Sequence, residues 1–111
     1  MDNFEVKLSR ESIYDIADIS EYIELRFGFE RAEQFDDEIQ DVLSELSWKF
    51  KHNRGTGIYY RGKLILKKVF KPSIIFYFVD DIEKKIYVVR VLRHERDWQK
   101  ILRETTSYTF D

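Results

Sequence analysis

The chain of 111 residues, 43% hydrophobic and 16% aromatic, has the length of a single domain with one core. One proline, four glycines and no cysteine exclude a disordered chain, a disulfide framework and thiol catalysis. The net charge is −2, but residues 1–47 hold fourteen acidic and four basic residues, whereas residues 48–111 hold seven acidic and fifteen basic ones. Such asymmetry between halves indicates either an anionic partner or a partner that spans the boundary between them.

The N-terminal half predicts a strand followed by two helices. Residues 4–8 alternate apolar and charged side chains, as a half-buried strand does, and Ser9 is a suitable N-cap. Apolar residues at three- and four-residue steps then predict a helix of about 17 residues that ends at Gly28. A second helix follows at once, so the two fold back as an αα-hairpin. The predicted buried stripes are Ile13, Ile16, Ala17, Ser20, Ile23 and Phe27 in the first helix, and Ala32, Phe35, Ile39, Val42, Leu43, Leu46 and Phe50 in the second.

The C-terminal half has no helical pattern at first. It holds four strand-like runs separated by turn residues, at 58–60, 64–70, 74–79 and 86–92. The last two runs are apolar on both faces, which is typical of central strands. Residues 95–102 predict a short helix that packs Trp98, Ile101 and Leu102 against the sheet. Helices in one block and strands in another indicate an α+β fold. We expect one domain at residues 1–104 and a C-terminal tail at residues 105–111.

Three stretches, in this order, resemble the RelE/ParE superfamily, the toxins of type II toxin–antitoxin modules. They are IYDIADISEYI at 13–23 with AEQF at 32–35, IIFYFV at 74–79, and VRVLRHERDW at 89–98. The aromatic strand and the Leu92-Arg93-His94-Glu95-Arg96-Asp97 ending are nearer the ParE side. The resemblance implies a βααβββα order: an N-terminal strand, an αα-hairpin, an antiparallel meander and a short C-terminal helix.

The resemblance also implies a function. It implies a growth-arresting toxin without a cofactor, neutralised by an acidic antitoxin whose segment wraps the toxin, in assemblies that can be higher-order. RelE-like members are ribosome-dependent endoribonucleases, and ParE-like members inhibit DNA gyrase. The leading hypothesis is a ParE-like gyrase inhibitor. The alternatives are an mRNA interferase acting at the ribosome and a non-toxic homologue that only binds its antitoxin and represses an operon.

If the chain cleaves RNA, it needs a proton-transferring group and cations that stabilise the charged phosphorane. His94, flanked by Arg93 and Arg96, is the candidate for this chemistry; the alternative is that these residues cap the strand–helix junction or pair with nearby acids. Two positions depart from the nuclease pattern: Ile74 stands where the nucleases carry a phosphate-contacting arginine, and Lys100 where they carry a tyrosine. The interferase alternative therefore relies on Lys67 and Lys68, with Lys71, as substitute phosphate contacts from the neighbouring strand.

The stretch 49–71 holds eight Lys/Arg and no acid, which favours either an anion-binding surface or a solvated face. The candidate binding residues are Arg61, Lys67, Lys68, Lys71, Trp98 and Lys100. Two histidines and no thiols predict no metal site. No run approaches the roughly 18–20 apolar residues of a membrane span, and the first residues lack a signal-peptide pattern, so we expect a cytoplasmic protein.

Overall fold

Strand β1 (Glu5–Leu8) and helix α1 (Arg10–Phe27) meet at Ser9 in the computed structural model, which describes residues 3–111. The Ser9 side chain accepts a hydrogen bond from the Ser12 N–H at 2.9 Å and donates one to the Val89 carbonyl at 2.7 Å. The N-cap therefore also attaches α1 to the sheet. Helix α1 ends at Gly28, whose φ of +95° lies in the left-handed region that glycine tolerates, and α2 (Phe29–Lys49) follows directly. The predicted αα-hairpin is confirmed.

Four antiparallel strands follow a short 3-10 turn at Phe50–His52: β2 (Arg54–Tyr60), β3 (Lys63–Phe70), β4 (Ser73–Asp80) and β5 (Lys85–Arg93). Helix α3 (Trp98–Glu104) comes last. The sheet order is β1-β5-β4-β3-β2, with β1 parallel to β5. The predicted α+β fold is confirmed.

The meander has four strands, one for each of the four strand-like runs and one more than the three of the predicted βααβββα order. The run at 58–60 is only the end of β2. The polar, glycine-containing start of β2 also pairs with β3, Gly55 opposite Leu66. A Cβ added at Gly55 would lie 2.8 Å from Leu64 Cδ2, so a larger residue there requires the Leu64 side chain to shift. Neither polarity nor glycine marks a strand in the sequence, and this start was therefore predicted as a loop.

The central strands are covered on both faces. On one face Ile75, Tyr77 and Val91 pack in the core with Phe35 and Ile39 of α2. The opposite face has a second core, formed with α3 and residues 105–111; its buried members are Ile58, Tyr60, Ile65, Ile74, Phe76, Val89, Leu92, Leu102 and Tyr108. Burial on both sides explains the apolar run of β4.

The last seven residues form neither helix nor strand, yet they are attached along their length. Tyr108 is only 6% exposed, and its N–H donates to the Tyr60 hydroxyl at 3.0 Å. The N–H and hydroxyl of Thr109 donate to the Glu11 carboxylate at 2.9 and 3.1 Å. The C-terminus is thus attached to the first turn of α1. No helix within residues 3–111 is long and apolar enough to span a membrane.

The buried face of α1 differs from the predicted stripe. Its buried residues are Ser12, Asp15, Ile19 and Ile23, whereas Ile13 and Phe27 are 50% and 68% exposed. The face is rotated because Asp15, a charged residue, points into the protein, where it pairs with Arg90.

Candidate functional site

The candidate site lies where β5 ends, beside the β3–β4 turn and the α1–α2 junction. The His94 N–H donates to the Pro72 carbonyl at 2.9 Å, which attaches the end of β5 to that turn. The Arg96 N–H donates to the Arg93 carbonyl at 3.0 Å and closes a turn before α3. The three residues therefore lie in one turn, in the part of the chain predicted to carry the site, but Arg93 and Arg96 line one cavity and His94 lines a second groove.

Arg93 is the most firmly held of the three. Its guanidinium carbon lies 3.9 Å from the centroid of the Tyr22 ring, and its Nη1 lies 3.0 Å from Glu95 Oε1. Arg26 also lies over Tyr22, at 4.7 Å from the ring centroid. Stacking on the ring and pairing with the carboxylate both restrict the guanidinium, so Arg93 has a positioning contact on α1.

His94 is less constrained. Its side chain is 61% exposed, and its ring Nδ1 lies 3.9 Å from Glu95 Oε2, beyond hydrogen-bond distance. Arg96 is exposed and lines a small cavity of about 190 Å³ with Asp18 and Tyr22. Proton transfer needs an acid or base held within hydrogen-bond reach, and this imidazole has no such fixed position.

A buried ion pair beneath this cavity was missed by the sequence reasoning. The Arg90 Nε and Nη2 donate to the two carboxylate oxygens of Asp15 at 2.6 and 2.8 Å, and the Val91 N–H donates to the same carboxylate at 3.0 Å. The hydrogen bonds to Asp15 raise the pKa of Arg90 above its usual value. Asp15 is 7% exposed, so the pair fixes α1 on β5 below Arg93.

A larger groove of about 590 Å³ lies between α1, the start of α2, and the β3–β4 turn. Arg31 is its unexpected member, because its Nη1 is buried and donates no hydrogen bond to any residue of 3–111. The groove is lined by Tyr22, Ile23, Phe27, Arg31, Lys71, Pro72, His94 and Glu95. Arg31 was missed because a basic residue in the first turns of a helix usually lies in solvent.

The six predicted binding residues do not form one surface. Lys71 lies in the groove, whereas Lys67 lies over the Trp98 ring, 4.9 Å from its centroid, on the α3 side of the sheet. Lys68 follows Lys67 in the strand and therefore points to the other face, where it lines a small cavity beside α2. Arg61 lies in the β2–β3 turn. Lys100 is exposed on α3.

The sequence hypothesis that Lys67 and Lys68 supply phosphate contacts together does not fit this geometry, because they lie on opposite faces. Ile74, at the position where the nucleases carry an arginine, is buried in the second core. No cluster of metal-ligating side chains occurs within residues 3–111. At the end of β5, Arg93 is held in place and the His94 imidazole is exposed, beside a groove lined by Arg31 and Lys71.

Both the sequence and the fold of the chain are similar to those of known proteins. The family model for the ParE toxin of the type II toxin-antitoxin system, parDE, matches residues 6–98, which include both helices of the hairpin, the sheet and the turn with His94. A similar solved structure is described as the chromosomal ParDE TA system from P. aeruginosa; it has a TM-score of 0.68 and 19% identity, covering 83% of this chain and 97% of that chain. No curated protein sequence matches the chain.

Proposed function

Because the chain belongs to the ParE toxin family of type II toxin–antitoxin systems, we propose that it arrests growth by inhibiting DNA gyrase, and that a cognate antitoxin neutralises it. The family match over residues 6–98 carries this proposal. The solved relative, described as a ParDE TA system, supports an antitoxin as the partner.

The geometry around His94 supports a toxin that acts by binding. An RNA-cleaving enzyme needs positioned cations and a positioned proton-transfer group around one phosphate. Here the imidazole is mostly exposed, Ile74 is buried, and Lys67 and Lys68 point apart. Arg93 is already engaged by Tyr22 and Glu95. These contacts favour gyrase inhibition over the mRNA interferase.

Inducible expression and a supercoiling assay test the proposal. Expression of the chain alone is expected to arrest growth, and co-expression of the adjacent small acidic reading frame is expected to restore it. The purified chain is expected to block supercoiling of relaxed plasmid by purified gyrase. Full-length mRNA is expected to persist on ribosomes in the arrested cells.

The His94→Ala variant serves as the control for chemistry. It is expected to arrest growth as the parent does, because the proposed mechanism needs no proton transfer. Cleaved ribosome-bound mRNA, together with loss of arrest in His94→Ala, would select the interferase. Normal growth with the parent chain, at a confirmed level of folded protein, would select the non-toxic homologue.

A further inference from the structure

The groove beside the α1–α2 junction contains an arginine that the fold leaves unpaired. The Arg31 side chain forms no hydrogen bond or ion pair with any group of residues 3–111, and its Nη1 is buried without an acceptor. Arg31 as a residue is partly exposed and lines the groove. An unpaired cation that lines a groove is a candidate binding group for a ligand.

The surroundings of Arg31 define the charge of that ligand. Lys71, from the β3–β4 turn, lines the same groove and is exposed. The acidic residue of the lining is Glu95, whose carboxylate is paired with the Arg93 guanidinium at 3.0 Å. Arg31 and Lys71 are therefore the charges that the groove offers, and they favour an anion.

The walls define the rest of the ligand. Half of the lining is formed by the rings and aliphatic groups of Tyr22, Ile23, Phe27 and Pro72. A groove of about 590 Å³ falls within the size range of small-molecule and peptide-anchor sites. A bare phosphate backbone leaves such walls uncovered, whereas a peptide that carries a carboxylate beside an apolar side chain satisfies both the walls and the cations.

We infer that this groove is a carboxylate-binding site, in which the Arg31 guanidinium pairs with an aspartate or glutamate of an acidic, partly apolar partner segment. A planar guanidinium binds a planar carboxylate through two parallel hydrogen bonds. The neighbouring apolar side chain of the segment lies against Phe27 and Pro72. The inference rests on the proposed function in one respect, because the antitoxin is the acidic segment that it names.

A small probe tests the site without the antitoxin. 3-Phenylpropionate carries one carboxylate and one apolar ring, and 3-phenylpropanamide is its uncharged match. Titration of the ¹⁵N-labelled full chain with 3-phenylpropionate is expected to shift the side-chain Nε–Hε signal of Arg31, with a dissociation constant in the millimolar range. The amide is expected to bind at least tenfold more weakly, because it removes the charge from the hydrogen bonds.

Two variants locate the interaction. Arg31→Gln is expected to weaken 3-phenylpropionate binding at least tenfold, and Lys71→Gln about threefold. Arg54→Gln removes an exposed charge outside the groove, at the start of β2, and is expected to leave binding unchanged. Thermal unfolding of each variant shows whether it is folded. Arg31→Lys keeps the charge but loses the planar fork, so intermediate binding is expected.

Three results would overturn the inference: equal binding of the amide, an unshifted Arg31 signal, or tighter binding of inorganic phosphate than of the carboxylate at equal ionic strength. Phosphate preference would assign the groove to nucleic acid. The inference and the proposed function fail separately. If the chain inhibits gyrase but Arg31 does not bind the carboxylate, only the site is wrong; if the carboxylate binds and gyrase is unaffected, only the target is wrong.

Discussion

Removal of the buried Asp15 carboxylate is the change that tests the connection between the helix hairpin and the sheet most directly. The Asp15→Ala variant leaves Arg90 without its counter-charge and the Val91 N–H without its acceptor. The side chains of Asp15 and Arg90 are 7% and 18% exposed, so water replaces the lost carboxylate only in part. Removing one partner of a buried ion pair costs about 3–5 kcal/mol.

The expected loss is large relative to the total free energy of unfolding. A domain of this size unfolds with a free energy of about 5–15 kcal/mol, so the variant loses roughly a fifth of it or more. An unfolding entropy of about 2.1 cal/mol/K per residue converts the loss for a chain of 111 residues into a fall in Tm of about 13–21 °C. Urea unfolding followed by circular dichroism, together with thermal unfolding, measures both quantities.

Two companion variants show whether the ion pair itself is responsible. Asp18→Ala removes an exposed carboxylate one turn further along α1 and is expected to change stability by less than about 0.5 kcal/mol. Asp15→Leu with Arg90→Met replaces both charges and is expected to recover most of the loss, because no charge is left buried alone. A loss below about 1 kcal/mol in Asp15→Ala would refute the reasoning.

Three further predictions concern groups whose contacts are equally specific. Burial raises the pKa of Tyr77 to about 12, so the parent chain is expected to lose stability between about pH 10 and pH 12, as tyrosine ionises in the unfolded chain first. The Tyr77→Phe variant is expected to show a smaller slope, since burial also raises the pKa of Tyr108 and that contribution remains. Having lost the hydroxyl donation to the Phe50 carbonyl at 2.7 Å, it is expected to unfold with about 1–2 kcal/mol less free energy at pH 7; urea midpoints across the pH range measure both. Burial raises the pKa of Glu11, but the hydrogen bonds from Thr109 outweigh it and the net pKa is lowered, so this stabilisation is present above pH 4.5 and is lost as the pH falls through the folded value. Faster amide exchange at Thr109 below that pH, after correction for the intrinsic rate, is the expected observation, and no change there would contradict it. Tyr108→Ala is expected to cost about 3 kcal/mol and to increase binding of a hydrophobic dye, because Tyr108 closes the second core; unchanged dye binding would show that the tail is dispensable there.

Periodicity predicted most of the fold because most of its elements bury apolar stripes. Helix α2 follows its predicted stripe, and β4 and β5 follow their apolar runs. The rotation of α1 could not be predicted, since periodicity counts Asp15 as a surface residue. One signal was available: β5 carries a lone arginine, Arg90, in an apolar run, and a buried arginine needs a counter-charge. The sequence does not identify that partner, because Asp18 lies between apolar residues of α1 as Asp15 does.

The turn after β5 is the candidate site predicted from Arg93, His94 and Arg96, and its binding role stays a prediction. In the structure Arg93 and Arg96 line the small cavity with Tyr22, whereas His94 lines the larger groove. Arg31 and Phe27 are remote from that turn in sequence, and only the return of the hairpin places them beside it. Local patterns do not contain such long-range contacts. The predicted pairing of Lys67 with Lys68 failed for a simpler reason, the alternation of side chains along a strand.

The net charge of −2 is therefore a poor guide to what the protein binds. The two groove cations come from opposite halves of the sequence, Arg31 from the acidic half and Lys71 from the basic half. At physiological ionic strength charges are screened over about 8 Å, so exposed carboxylates further along the hairpin act only weakly on an anion in the groove. The buried Nη1 of Arg31 is screened least of all. An acidic chain with a local cationic groove can thus bind an acidic segment, and salt should weaken that binding less than it weakens contacts at exposed lysines.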